Sequence, residues 1–277
     1  MRAAVVVLCL AACAPSGAAL APKPTVAPAG EPVGVAPTVD RNSGNVGIEP
    51  YTPTAPAISI SKPSADESVP VEAARTQPLL VDDVGYLDEN PSARITLVLD
   101  GDVVRDMQDA RAPLTLGNLD LAGRTLDAGE HVLVAVAVGP RGEAARFGPD
   151  RRTATAVRRF FVGASQAEPP RASGPMLVLL VPRGTYNGPS RAKAALLDFL
   201  ILGGDIGADG LSMRVRVTGP KGASNSVLSG PGPYSVRGLD SGDYRLDLEL
   251  QKPEGPLSGR WARASRIITV NLDGPAR

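Results

Sequence analysis

One pattern of residues occurs twice along this chain, and it constrains the fold more than any other feature. Four pairs of segments match in the same order in the two halves of the sequence. In chain order, the pairs are ISISKPSADESVP (58–70) with LVLLVPRGTYNGP (177–189), RITLVLDG (94–101) with SMRVRVTG (212–219), TLDAGEHVLVAVAVGPRGE (125–143) with GLDSGDYRLDLELQKPEGP (238–256), and RRFFVG (158–163) with SRIITVN (265–271). An ordered set of matches predicts two copies of one structural module.

Alternating hydrophobicity predicts that each copy is built from β-strands. Apolar and polar residues alternate along 244–251 and along 213–218, which is typical of strands with one buried and one solvated face. Residues 132–138 are apolar at every position, so this strand has two apolar faces. We therefore expect the outer face of this strand to be covered.

The turns and strands together predict an all-β fold of two antiparallel β-sandwiches. The chain has 30 glycines and 27 prolines, and turn sequences follow the apolar runs. We assign the sandwiches to residues 57–164 and 175–273, with a linker at 165–174. The segment 191–202 has helical propensity, but we assign it to a strand, as we do its counterpart 77–87.

Two glycine-containing segments resemble the tyrosine corner of immunoglobulin-like domains. Both read Leu-Asp-x-Gly-acid-ring-x-Leu, and their shared positions include Gly129 with Gly242 and His131 with Tyr244. The two copies resemble the immunoglobulin-like modules of bacterial cell-envelope proteins. This resemblance implies two tandem immunoglobulin-like sandwiches, in which these four residues form structural corners.

The amino terminus resembles a bacterial lipoprotein signal. Ala3 to Leu10 form an apolar run that is too short to span a membrane. The next residues complete Leu-Ala-Ala-Cys, which resembles the lipobox and implies cleavage after residue 12 and lipidation, including palmitate, of Cys13. The alternative is an ordinary secretory signal that is cleaved near Ala19 or Ala21.

The segment that follows is predicted to be a disordered tether. Residues 13–56 contain nine prolines and few large apolar side chains, so they cannot bury enough surface to offset the entropy of ordering. Ala14 stands where inner-membrane lipoproteins of related bacteria tend to carry Asp. The resemblance therefore implies an outer-membrane location in the bacterial cell envelope.

Composition excludes several classes of function. The formal net charge is zero, so we expect no nucleic acid as partner. The two cysteines both precede residue 14, which excludes an internal disulfide framework, and we expect no cofactor. His131 is the only histidine, and a hydrolase would need it as a base although Tyr244 replaces it in the second copy.

Three further side-chain groups are candidate binding sites. Asp205 and Asp209 lie in the Gly- and Asp-rich segment 203–210, which is a candidate divalent-cation site or a solvated turn. Trp261 is the sole tryptophan and serves either packing or contact with a ligand. The arginines between 146 and 159 form either a solvated face or a contact with anionic envelope polymers.

Together these features predict a non-enzymatic, lipid-anchored envelope protein whose two modules contact other envelope proteins. A module that binds glycans or a divalent cation is the alternative function. A hydrolase that uses His131 as base is the third and least favoured.

Overall fold

The computed structural model describes residues 57–83, 85–121, 125–147, 152–163, 174–193, 195–207 and 210–275. The predicted signal peptide, the tether with Cys13 and residues 165–173 of the linker lie outside these ranges. The chain divides into two units, Met1–Glu49 and Pro50–Arg277, and every described residue belongs to the second unit.

The first half of the described chain forms a sandwich of two sheets. Its strands are β1 Ser59–Lys62, β2 Glu67–Val69, β3 Pro78–Asp82, β4 Arg94–Leu99, β5 Asp102–Met107, β6 Leu114–Thr115, β7 Gly129–Val138, β8 Arg146–Phe147, β9 Arg152–Thr153 and β10 Thr155–Val162. One sheet has the order β1-β3-β6, the other has the order β2-β10-β7-β4-β5, and β8 pairs with β9. Neighbours are antiparallel except β2 and β10, which are parallel.

The second half repeats this arrangement. Its strands are β11 Met176–Val181, β12 Gly184–Asn187, β13 Leu196–Leu202, β14 Ser212–Gly219, β15 Gly222–Leu228, β16 Tyr234–Ser235, β17 Gly242–Lys252, β18 Gly255–Pro256 and β19 Arg263–Asn271. The sheets have the orders β11-β13-β16 and β12-β19-β17-β14-β15, and β18 pairs with the end of β17. Here too a short strand, β12, runs parallel to the last strand, β19.

The two strand orders are the same, and they are immunoglobulin-like. Each sandwich packs a small sheet of its first, third and sixth core strands against a larger sheet that contains the last strand. All four matched pairs of sequence segments occupy equivalent strands, namely β1 and β2 with β11 and β12, β4 with β14, β7 with β17, and β10 with β19. The predicted all-β fold of two tandem immunoglobulin-like sandwiches is therefore confirmed.

Two segments that were predicted as continuous strands are only partly strands. Strand β3 ends at Asp82, and a helix, α1, spans Tyr86–Glu89. A second helix, α2 at Pro189–Lys193, precedes β13. Proline is favoured at the first position of a helix, and the Asp83 carboxylate accepts a hydrogen bond from the Leu87 amide. The described 3₁₀ turns are Val71–Ala73, Leu116–Asn118 and Arg260–Ala262. None of the described helices has the length and apolar composition that crossing a bilayer requires.

Each sandwich has its own hydrophobic core. In the first sandwich, Leu97, Leu133 and Phe160 are fully buried between the two sheets. In the second, Met213 and Leu246 occupy equivalent strands. Alternation along the central strands places these side chains inward, where burial of apolar surface stabilises the fold by about 25 cal/mol per Å².

A third apolar cluster joins the two sandwiches. It contains the valines on the outer face of β7, which alternate with the residues that face the first core. Met176, Val178 and Leu180 of β11 cover these valines, while Leu177 and Leu179 of the same strand face the second core. The sequence indicates a covered outer face on β7, and the structure shows that the second sandwich covers it.

A buried ion pair closes the edge of this contact. Asp198 of β13 is 0% exposed, and its two carboxylate oxygens accept hydrogen bonds from Arg146 of β8 at 2.6 and 2.9 Å. The backbone amides of Ala144 and Phe199 donate to the same carboxylate at 2.8 and 3.1 Å. All four donors are needed, because a buried carboxylate without them would lose its hydration without compensation.

Replacing Asp198 with alanine should strongly destabilise the protein. The variant leaves the Arg146 guanidinium buried without its counter-ion, which typically costs about 3–5 kcal/mol. The matched control is Asp88→Ala, which breaks an exposed pair with Arg111 and should cost less than about 1 kcal/mol. Urea denaturation of both variants measures the two costs. Equal losses would show that the buried pair does not hold the sandwiches together.

Candidate functional site

The ring of His131 links two parts of the first sandwich to each other. Strand β7 begins at Gly129, which has a φ of 137°, and the ring follows two residues later. Its Nε2 lies 2.8 Å from the carbonyl oxygen of Asp127, and its Nδ1 lies 2.7 Å from Oδ2 of Asp100. Both partners are acceptors, so both ring nitrogens donate, and the ring that satisfies this geometry is the protonated imidazolium.

The environment of His131 favours its charged form. Burial disfavours the charge, but the hydrogen bond to the Asp100 carboxylate and the one to the Asp127 carbonyl outweigh it. The pKa of His131 is therefore raised above its ordinary value. The ring also stacks on Phe160, with centroids 5.4 Å apart.

Tyr244 occupies the equivalent position in the second sandwich. Its hydroxyl accepts a hydrogen bond of 2.8 Å from the Asp240 amide, so each ring contacts the backbone four residues earlier. The ring packs against Gly219, where a Cβ would lie 2.3 Å from the tyrosine Cε1. Gly242 has a φ of 141°, and a Cβ there would lie 2.4 Å from Pro220. Larger residues at these two glycines would displace the corner.

Asp100 also connects the first corner to the second sandwich. Its carboxylate accepts a bond of 2.9 Å from the Val132 amide and lies 3.3 Å from the Arg260 guanidinium. That guanidinium stacks over Trp261, 4.5 Å from the ring centroid. Trp261 is half-buried against the cluster between the sandwiches, which favours the packing role over ligand contact.

A charged cleft of about 620 Å³ lies where β5 meets the second sandwich. Arg183 bonds both oxygens of Asp106 at 2.8 and 3.0 Å, and Arg266 donates to the Leu180 carbonyl at 3.1 Å. Burial and then the neighbouring Arg183 lower the pKa of Arg266 to about 10. The Arg183–Asp106 pair adds a polar link to the apolar contact between the sandwiches, whereas the Arg266 hydrogen bond lies within the second sandwich.

The outer face of the larger second sheet is exposed and carries rows of opposite charge. Glu249 of β17 lies between Arg214 and Arg263, its cross-strand neighbours. In the next row, Asp247 lies between Arg216 and Ser265. Burial disfavours the Asp247 carboxylate, but hydrogen bonds from Ser265 and Arg245 outweigh this and lower its pKa.

A shallow depression of about 510 Å³ lies over these rows, and Ile267 beside it is 66% exposed. The equivalent face of the first sandwich is the valine face that β11 covers. One copy of the repeat thus uses this face internally, and the other presents it to solvent.

The predicted cation residues are not seen together. Asp209 lies outside the described residues, while Asp205 lines a cleft of about 420 Å³ with Arg146 and Arg152. In the ranges that the structure describes, no three His, Cys, Asp or Glu side chains are grouped as metal ligands. The cation site therefore stays a prediction.

The described arginines between 146 and 159 do not form one solvated face, and Arg151 lies outside the described residues. The side chain of Arg146 is only 10% exposed and pairs with Asp198, and Arg159 pairs with Asp66 at 2.6 Å. Sequence reasoning missed Asp198, although a lone acid inside the apolar run LLDFLIL is itself a signal that a buried partner exists.

The surroundings of His131 do not suit a catalytic base. A base must accept a proton from its nucleophile, but a carboxylate and a carbonyl oxygen engage the two ring nitrogens. The geometry gives His131 a structural contact instead.

Comparison with known proteins adds little to this description. No family model matches the chain, and no curated protein does. Among solved structures, the fibronectin(III)-like modules of Clostridium thermocellum CbhA are 15% identical, with 78% of this chain and 95% of that chain covered and a TM-score of 0.25. A putative membrane anchored protein from Corynebacterium diphtheriae is 11% identical, with 79% of this chain and 60% of that chain covered and a TM-score of 0.23. Drosophila N-cadherin EC1-4 is 13% identical, with 78% of this chain and 50% of that chain covered and a TM-score of 0.24. With TM-scores this low, the fold assignment rests on the strand order.

The contribution of His131 to stability should be lost as pH rises. Its folded pKa is raised above the unfolded value of about 6.5, so the stabilisation is complete below that pH and disappears as pH passes through the folded pKa. We expect the loss in melting temperature caused by His131→Phe to be larger at pH 6 than at pH 8.5.

The matched control for this measurement is Tyr244→Phe, which removes the hydrogen bond of the second corner without removing a histidine. Its effect on melting temperature should be the same at both pH values. A pH-independent effect of His131→Phe would contradict the bonded imidazolium.

Proposed function

We propose that this protein is a non-enzymatic, lipid-anchored protein of the bacterial cell envelope. In this proposal, its two immunoglobulin-like modules form one body that contacts other envelope proteins. The lipid is attached to Cys13, and residues 13–56 tether the modules to the outer membrane, on its periplasmic or surface side.

The sequence around Cys13 supports the anchor. One fatty chain gives only marginal membrane binding, because each buried methylene contributes about 0.8 kcal/mol, whereas the two or three chains of a lipoprotein make attachment effectively stable. A location fixed in this way suits a protein that acts by contact with neighbours in the same membrane.

The contrast between the two equivalent sheet faces carries the contact role. In the first module the face is apolar and covered by β11, and in the second it is exposed and charged. The covered face holds the modules in one arrangement, so a partner meets a preorganised surface and less entropy is lost on binding. Arginine is enriched in protein interfaces, and the exposed Ile267 adds apolar area to that surface.

Labelling with radioactive palmitate tests the anchor. The wild-type protein should incorporate label in its bacterial host, and Cys13→Ala should not, because the thiol that accepts the lipid is gone. Cys9→Ala is the matched control, since the proposal places Cys9 in the removed signal, and it should be labelled like the wild type. Equal labelling of wild type and Cys13→Ala would overturn the anchor.

Crosslinking in intact cells tests the contact surface. The double variant Arg216→Glu/Ile267→Glu changes the charge and polarity of the exposed face in the second module. We expect it to lose crosslinked adducts to other envelope proteins that the wild type forms, as judged by mass spectrometry.

The control for this experiment is Arg111→Glu/Leu80→Glu, which makes the same charge reversal and a similar aliphatic-to-glutamate change on the first module. Leu80 is 50% exposed and Ile267 is 66% exposed, so the two variants are comparable. Adducts that persist in the first variant, or that both variants lose equally, would contradict the proposed surface.

A further inference from the structure

Strand β15 is an open sheet edge of a kind that folded proteins usually avoid. An edge strand presents unpaired N–H and C=O groups, and proteins protect such edges by making them short, charged, bulged or covered. Strand β15 spans seven residues, GASNSVL, and it lies at the end of its sheet, where β14 is its only neighbour among the described strands. Its sequence has no charge and no proline, and it pairs with β14 in one unbroken register.

The other edge strands in the described part of the chain are protected. Eight of them are four residues long or shorter, namely β1, β2, β6, β8, β9, β12, β16 and β18. Strand β11 is buried throughout and has a register shift. Strand β5 is the equivalent of β15 in the first module, and it carries both charges and a register shift. Strand β15 alone combines length, neutrality, regularity and exposure.

We propose that β15 pairs antiparallel with β15 of a second copy of this chain. A two-fold axis through Asn225 places Asn225 opposite its own copy, Ser224 opposite Ser226, and Ala223 opposite Val227. Both strands then satisfy their free backbone groups, and the two larger sheets become continuous.

The side chains of β15 make a second copy the fitting occupant. Homotypic pairing places each residue beside its own kind, and like charges directly opposite one another are destabilising. Strand β15 has no charged side chain. Its pairs would be Asn225 with Asn225, Ser224 with Ser226, and Ala223 with Val227. Residues Gly222–Val227 are all exposed, so nothing in the described structure must move for a partner to approach.

This inference rests on the proposed function, which is contact with other proteins. It names one such partner, a second copy of this chain. It needs neither the lipid nor the charged face, so it is testable on purified protein without the anchor. A seven-residue edge is smaller than a standard interface of about 1,200–2,000 Å², so we expect a weak, concentration-dependent dimer.

Disulfide trapping tests the register. The full chain with Cys9→Ser and Cys13→Ser has no thiol, because these are its two cysteines. In that background, Asn225→Cys should oxidise to a covalent dimer much faster than Ser265→Cys. Ser265 is the control because it lies on the same face of the larger sheet of the second sandwich. Directly opposite residues have Cβ atoms about 4.5–5.5 Å apart, close to disulfide geometry.

A mixture of two variants tests the same register independently. In the paired strands, residue 223 lies four positions away from residue 223 of the other copy, and the same holds for residue 227. Ala223→Cys alone and Val227→Cys alone should therefore form covalent dimers slowly. Mixed together, they should form the heterodimeric disulfide rapidly. Trapping of Asn225→Cys no faster than of Ser265→Cys, or no preference for the mixed pair, would overturn the two-fold pairing.

Sedimentation measures the same association without oxidation. The cysteine-free chain should change from monomer toward dimer between about 10 µM and about 1 mM, a range that corresponds to weak affinity. Asn225→Lys should stay monomeric, because it places two ammonium groups opposite each other. A wild-type strand that is monomeric throughout, or a lysine variant that dimerises equally, would overturn the pairing. Neither result would affect the adducts to other proteins, which test the contact role separately.

Discussion

The apolar outer face of β7 is the constraint on which the arrangement of this molecule depends. A strand with valine on one face and leucine or alanine on the other must be covered twice. The first core covers one face, and β11 of the second sandwich covers the other. Because β11 is itself buried on both faces, it belongs to two cores at once. The two modules are thereby held as neighbours by packing.

Polar contacts then fix this packing at its edges. The Asp198 carboxylate accepts hydrogen bonds from the Arg146 guanidinium and from the Ala144 backbone amide. An ion pair therefore connects the two modules. Arg183 reaches Asp106, and Arg260 reaches Asp100 beside the first corner. Apolar packing is non-directional, whereas these hydrogen bonds are satisfied in one geometry. They therefore select one arrangement of the modules among those that would cover the same valines.

The two copies have diverged where their surroundings differ. In the first copy the ring at the corner is His131, whose second nitrogen reaches Asp100, which in turn meets Arg260 of the other module. In the second copy the ring is Tyr244, which packs on Gly219 of its own module. The sheet faces diverge in the same way, since one is apolar and covered and the other is charged and exposed. A shared fold thus carries a covered apolar face in one copy and an exposed charged face in the other.

Alternation along β14 and β17, turn residues and the ordered repeat were enough to predict strands, sandwiches and the doubled fold, because these signals are local or compare one segment with another. Local signals failed at α1 and α2, short helices that follow β3 and precede β13. The apolar residues of β7 by themselves determined that its outer face would be covered. Only the tertiary structure decided that β11 covers it, that Asp198 meets Arg146 and that β15 is left open. Partners far apart in sequence are chosen by the geometry of packing, and no local pattern encodes that choice.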